Sequence, residues 1–234
     1  MSLRQKIREK HSNIGPKLRD FILGWQDGLV NVLGIILGVA TATASTKIVL
    51  ISGLAATFAE SISMTAVAYT SMKAANDFYK AERQRELREI RDMPKIEKQE
   101  IRDIYYKKGF RGRTLETIVR TITSNKKRWL DIMMEEELKL SPEKTSPLQD
   151  AVIVGISAVI GSLIPLSPYL FFDVGSALWY SLIISSIVLF GIGFVKARLT
   201  TGSLLKSGIE MIVVGMVAAV AGYFIGSILG VAIS

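Results

Sequence analysis

Two carboxylates of this sequence stand inside long apolar runs: Asp27, in Gly24-Trp25-Gln26-Asp27-Gly28, and Glu60, one helical turn before Met64. An ionised side chain at the centre of a membrane-crossing helix costs roughly 2.5 to 3.5 kcal/mol, so a carboxylate kept there points to function. At a rise of about 1.5 Å per residue, Asp27 and Met64 fall about 10 and 12 Å from the same end of an antiparallel helix pair, with Asn31 and Glu60 at about 16 and 18 Å. If the two faces meet, Asp27 and Asn31 oppose Met64 and Glu60, a polar ladder joining carboxylate oxygen to thioether sulfur. The alternative is that Asp27 caps or pairs locally and Met64 only packs.

A second set of acids follows the same logic outside the apolar runs. Glu82, Glu86, Glu89 and Met93 recur at spacings of four, three and four, where a helix would normally carry its apolar stripe. Beyond Pro94 the spacing resumes as Glu97 and Glu100. These two E-x-x-E pairs place four carboxylates on helix faces that a turn at Pro94 could fold together, and a cation would offset their repulsion. Met133, Met134 and Glu137 add soft thioethers and a further acid. Ca²⁺ and Mg²⁺ prefer oxygen, whereas mixed carboxylate and thioether donors suit borderline ions such as Fe²⁺, Mn²⁺ or Co²⁺. The plainer alternatives are a solvated, salt-bridged helix for the glutamates and core packing for the methionines.

The elements that must position these residues follow from hydropathy. The sequence is 49% hydrophobic yet 21% charged, so its apolar content must be concentrated. It fills 21–44, 48–72, 148–166, 169–195 and 204–233, each near the roughly 20 residues a helix needs to cross a bilayer. Pro165, Ser167 and Pro168 mark a tight turn between the third and fourth runs. Lys and Arg crowd the N-terminal arm, the stretch from Lys73 to Lys144, and Lys196, Arg198 and Lys206, whereas the other side carries only Lys47. This asymmetry predicts a cytoplasmic N-terminus and explains the net charge of +8 without nucleic acid. Gly24-x-x-x-Gly28, Gly34-x-x-x-Gly38 and Gly222-x-x-x-Gly226-x-x-x-Gly230 allow close helix contact, within or between subunits. Glu210, shallow and one turn from Lys206, reads as an interfacial ion pair.

The fold expected is therefore an all-α, multi-pass integral membrane protein. It has a basic cytoplasmic arm over 1–20, two transmembrane helices over 21–72, a cytoplasmic metal-binding domain of three helices over 73–147, and three more transmembrane helices over 148–234. Within that domain the breaks predict a continuation of the second span to Asp92, a helix from Pro94 to Lys108, and a third from Thr114 to Leu140. Leu115, Ile118, Val119, Ile122, Trp129, Leu130, Met133, Met134 and Leu138 would form the buried face of that third helix. No Cys is present and His11 is the lone histidine, which excludes disulfides, thiolate sites and polyhistidine sites. No removable signal peptide is read in the basic arm.

These residues resemble the vacuolar iron transporter family, which includes the yeast vacuolar calcium cross-complementer, plant vacuolar members and prokaryotic relatives. The resemblance covers nearly the whole chain after Asp20, as a prokaryotic-type member. It rests on Gly24-x-x-Asp27-Gly28, Ile62-Ser63-Met64, the Glu86, Glu89, Glu97, Glu100 series and Met133-Met134-x-x-Glu137. It implies a five-span homodimer with a path along its two-fold axis and proton-coupled export of Fe²⁺ from the cytoplasm. It further implies that Asp27 and Met64 ligate metal in the membrane, and that the four glutamates with Met133, Met134 and Glu137 ligate it in the cytoplasm. The sequence departs from the family where a second-span glutamate would fall at Ala56, with Glu60 one turn along the same face. It also reads Asn31-Val32-Leu33-Gly34 where the family tends to have a Pro-Phe pair.

The function expected is a secondary transporter of a divalent transition metal, Fe²⁺ first, with Mn²⁺, Co²⁺ and Zn²⁺ as alternatives, moving it out of the cytoplasm in exchange for protons, in the cell membrane if the source is prokaryotic. No prosthetic group is expected. A membrane-anchored metal sensor or buffer is the rival reading. A membrane enzyme is disfavoured, because no nucleophile arrangement accompanies the acids.

Overall fold

The computed structural model describes residues 14–142, 146–199 and 202–233, nearly all helical. Helix α1 covers Ile14–Thr43, α2 Thr46–Asp92, α3 Pro94–Lys107, α4 Gly112–Thr123 and α5 Lys126–Ile132. A π-helical turn, Met133–Glu137, extends α5; then come α6 (Pro147–Leu166), a 3₁₀ turn (Ser167–Leu170), α7 (Val174–Leu199) and α8 (Leu204–Ile233). Five stretches are long and apolar enough to cross a bilayer, and they lie in α1, α2, α6 with its 3₁₀ turn, α7 and α8. The chain divides into two compact units, one running to Tyr69 and resuming at Pro147, the other Thr70–Ser146.

In the first unit the backbones of α1, α6 and α8 approach closely. A Cβ on Gly24 would meet the Val154 carbonyl oxygen at 2.2 Å, and one on Gly28 the Ala158 oxygen at 2.2 Å. On α8, a Cβ added to Gly222 or to Gly226 would meet the Gly34 or Gly38 carbonyl oxygen at 1.9 or 2.1 Å. The small-residue stripes thus make contacts within the chain, a point that spacing left open. Residue numbers rise together at both seams, so α1, α6 and α8 run the same way. Helix α2 opposes them, with Ser61 Oγ donating to the Gly155 carbonyl at 2.9 Å, and α7 opposes α8, with Gly193 against Ser207. Leu29, Leu33, Ile36 and Leu37 of α1 are buried, whereas Phe58, Ile62, Ile187, Val217 and Ile228 are exposed. That outer apolar surface is what a hydrocarbon solvent requires.

Several predicted boundaries shift. Residues 1–13 of the basic arm lie outside the described residues, but α1 begins at Ile14 rather than Phe21, because Pro16 falls in the first turn, where proline is tolerated. The third helix ends at Leu166, as expected, with Pro165 inside its last turn and a 3₁₀ turn following, and Ser181 Oγ donates to the Pro165 carbonyl at 2.7 Å. The fourth span starts at Val174 rather than Tyr169, and the Asp173 side chain accepts from the Ser176 N–H at 3.2 Å near its start.

The second unit is built on the end of α2. Ile90, Ile101, Leu115, Val119, Ile122, Trp129, Leu130, Met133 and Met134 form its core, with Ile118 and Leu138 packed against it. The helix predicted over 114–140 is divided. Asn125 Oδ1 accepts the Arg128 N–H at 3.0 Å and Ser124 Oγ donates to the Thr121 carbonyl at 2.8 Å. Such side chains compete with the helix ladder and start a new helix instead. The second division, at the π-helical turn, closes with the Leu138 N–H donating to the Met133 carbonyl at 3.2 Å.

The glycine seams give a paired test. Gly222→Ala drives a methyl into the Gly34 backbone and is expected to cost about 1 to 3 kcal/mol. Gly191→Ala, on α7 with no atom within 4 Å of the added carbon, is expected to be neutral or stabilising by up to about 1 kcal/mol. Thermal unfolding of the two variants in detergent checks the contrast.

Candidate metal sites in the two units

Between α1 and α2 of the first unit lies an open cleft of about 500 Å³ lined by Asp27, Asn31, Ile35, Ala56, Ala59, Glu60, Ser63 and Met64. It brings together all four residues of the predicted ladder. Asn31 Nδ2 donates to Glu60 Oε1 at 2.5 Å, and Glu60 Oε2 is buried without a hydrogen-bond partner. Ala56, one turn before Glu60, supplies only a methyl to the wall. Among the described residues no Lys or Arg lines the cleft, so the two acids face a cavity with no fixed positive charge from them. Glu210 is exposed on α8, away from this cleft.

The second unit gathers its acids at the edge of a core. Glu86 lies one turn before Ile90 on α2, and Glu97 one turn before Ile101 on α3. These glutamates occupy core-facing positions and are only 2% and 3% exposed. Burial raises the carboxyls of both to about 7, reinforced at Glu86 by Glu137, Glu97 and Glu89 and at Glu97 by Glu100, Glu89 and Glu137. Burial also raises Glu137, with Glu100 and Glu89 adding to the effect. The five acids of the prediction are therefore close enough to oppose one another's ionisation. Arg85 alone pulls the other way at each of the three, 3.8 Å from Glu86 and 3.6 Å from Glu89, while also pairing with Glu82 at 3.0 Å.

Glu86 Oε2 and Glu97 Oε2 are buried without hydrogen-bond partners. Among the described residues no three His, Cys, Asp or Glu side chains converge as a ready-made cage for a metal ion. The acids are gathered, and a cation would have to draw their oxygens inward. Met133 and Met134 are enclosed at 0% and 1% exposure in the core beside Ile90 and Ile101. The π-helical turn places both thioethers inward. Carboxylate oxygen with nearby thioether is a donor set for borderline divalent ions.

Sequence reasoning passed over two buried acids. Asp20 and Asp150 are 6% and 2% exposed, and each has a carboxylate oxygen without a partner. They lie one turn before Gly24 and Val154, the first contact of the seam between α1 and α6. The seam register could have exposed them, had the partner of Gly24 been known.

Five apolar helices and an acid-lined cleft between two of them define a multi-pass integral membrane protein with a polar opening in its spanning unit. The chain belongs to the VIT family, whose model matches residues 18–227. It is 32% identical to Vacuolar iron transporter 1 of Tulipa gesneriana, over 95% of this chain and 91% of that protein. It is 35% identical to Vacuolar iron transporter 2 of Oryza sativa subsp. japonica, over 92% and 88%. With Protein CCC1 of Saccharomyces cerevisiae it shares 32% identity over 91% of this chain and 69% of that protein.

A pH dependence follows from the raised carboxyls. Their folded values near 7 exceed the ordinary 4.5, so between those limits the folded state holds more protons than the unfolded state, and stability falls as pH rises. Metal-free protein is expected to lose stability of the second unit from pH 4.5 to 7, and Mn²⁺ added at pH 7.5 to restore it. Unfolding followed by Trp129 fluorescence, with Trp25 and Trp179 replaced by Phe, measures both effects.

Proposed function

We propose that this chain is a secondary transporter that carries a divalent transition metal out of the cytoplasm, Fe²⁺ in the first instance and Mn²⁺ as a second substrate. The observation that carries this reading is the cleft in which Asp27, Glu60 and Met64 lie together between two membrane helices, with no Lys or Arg among the described residues of its lining. A divalent cation would offset its two carboxylates, and the thioether favours a borderline metal over a hard one. The names of the relatives, vacuolar iron transporters from tulip and rice, favour iron.

In this reading the N-terminus is cytoplasmic, because the basic residues crowd that side. The cytoplasmic unit, residues 70–146, collects the ion on Glu86, Glu89, Glu97, Glu100 and Glu137, with Met133 and Met134 as soft donors. Asp27, Glu60 and Met64 then hold it in the membrane, and the emptied carboxylates take up protons for the return step. Two copies of the chain form the working unit, with the α1 and α2 clefts beside their shared axis.

The test is flux in proteoliposomes with an imposed pH gradient. Asp27→Ala is expected to abolish metal-dependent flux. Glu86→Ala combined with Glu89→Ala is expected to weaken metal binding at least ten-fold, by about 1.4 kcal/mol or more, with the helical circular dichroism unchanged. Unaltered flux in the Asp27 variant would overturn this pathway, and binding without flux in the unsubstituted protein would identify a sensor or buffer instead.

A further inference from the structure

Glu60 lies between the Asn31 amide and the Asp27 carboxylate. Its Oε1 accepts from Asn31 Nδ2, while its Oε2 has no partner and is shielded from solvent. An amide nitrogen carries donors and no lone pair for a metal. The oxygen it engages is turned toward Asn31, and the other is the one left to bind. Ala56 leaves no second carboxylate on that stretch of α2. Of the other lining groups, Asp27 offers carboxylate oxygen, Asn31 its own carbonyl oxygen, Ser63 a hydroxyl and Met64 sulfur.

We infer that Asn31 is a specificity-determining residue, which makes Glu60 a one-oxygen ligand and thereby disfavours Ca²⁺ against smaller, softer divalent ions. Ca²⁺ takes six to eight oxygens and often uses carboxylates through both, so a carboxylate with one oxygen engaged serves it poorly. A first-row transition ion needs fewer ligands and accepts the Met64 thioether in place of an oxygen. Asn31 acts here as a positioning residue through Glu60, and the inference rests on the reading of this cleft as the ion's membrane site.

The experiment is competition between Co²⁺ and Ca²⁺ for equilibrium binding to the full-length protein in detergent, with Glu86→Ala and Glu89→Ala present throughout to weaken the other acid cluster. The quantity read is the Ca²⁺ concentration that halves Co²⁺ occupancy, divided by the apparent Kd for Co²⁺. Asn31→Ala frees Glu60 Oε1 and is expected to lower this ratio about ten-fold, the size of one charge-assisted hydrogen bond exchanged for a metal contact. Asn31→Leu, which keeps the branched shape and the same number of side-chain heavy atoms, is expected to do the same and is decisive if the alanine variant does not fold. In a Glu60→Gln background neither substitution is expected to move the ratio.

An unchanged ratio in the folded Asn31 variants, or an equal shift without Glu60, overturns the inference. Binding needs no transport, so this outcome is separate from the flux test. Absence of flux in the unsubstituted protein would defeat the transport reading while the competition ratio still tests Asn31.

Discussion

Inside hydrocarbon, helices are not driven together by exclusion of water, because the lipid tails are as apolar as the side chains. What holds α1 in place is contact between backbones. At Gly24 and Gly28 it lies against the carbonyls of α6, and at Gly34 and Gly38 against Gly222 and Gly226 of α8. These approaches make α1 the helix on which the spanning unit is assembled. A helix fixed by α6 and α8 can present Asp27 and Asn31 toward α2 at a constant depth. The polar cleft thus depends on contacts made by residues that carry no polar side chain.

Acids are placed in both units where burial works against their charge, and different neighbours moderate that conflict. In the cleft an amide satisfies one oxygen of Glu60 and leaves the other bare. At the core edge of the second unit, Arg85 partly offsets the cluster around Glu86, and burial shifts the acids toward their neutral forms. A buried carboxylate without a counter-charge is costly. Neighbouring isoleucines and valines could supply a cheaper core, so the retained acids are an expense that packing does not explain.

Much of this was legible in the sequence because helices impose simple arithmetic. A fixed rise per residue placed Asp27 level with Met64 and Asn31 level with Glu60, and the cleft contains all four. Proline ended α2 near Asp92 and opened α3, as the pattern required. Periodicity could not show that Ser124 and Asn125 would interrupt an otherwise regular amphipathic run, because the competing bonds run from side chain to backbone. Nor could it assign the glycine stripes to contacts within one chain, since small residues are equally suited to either arrangement. Asp20 and Asp150 went unnoticed because burial at a helix seam depends on the partner helix, which local spacing does not name.

The π-helical turn at Met133–Glu137 has a consequence for how this part of the chain can change over generations. A π-turn holds one residue more than the α-helical turn it replaces. The wider turn absorbs that extra residue, so loss of one residue there would restore regular winding and leave the segment pointing nearly as before. A residue lost from the α-helical part before it, Lys126–Ile132, would instead turn Met133 and Met134 by about 100° out of the core. Length is thus held more strictly before the π-turn than within it.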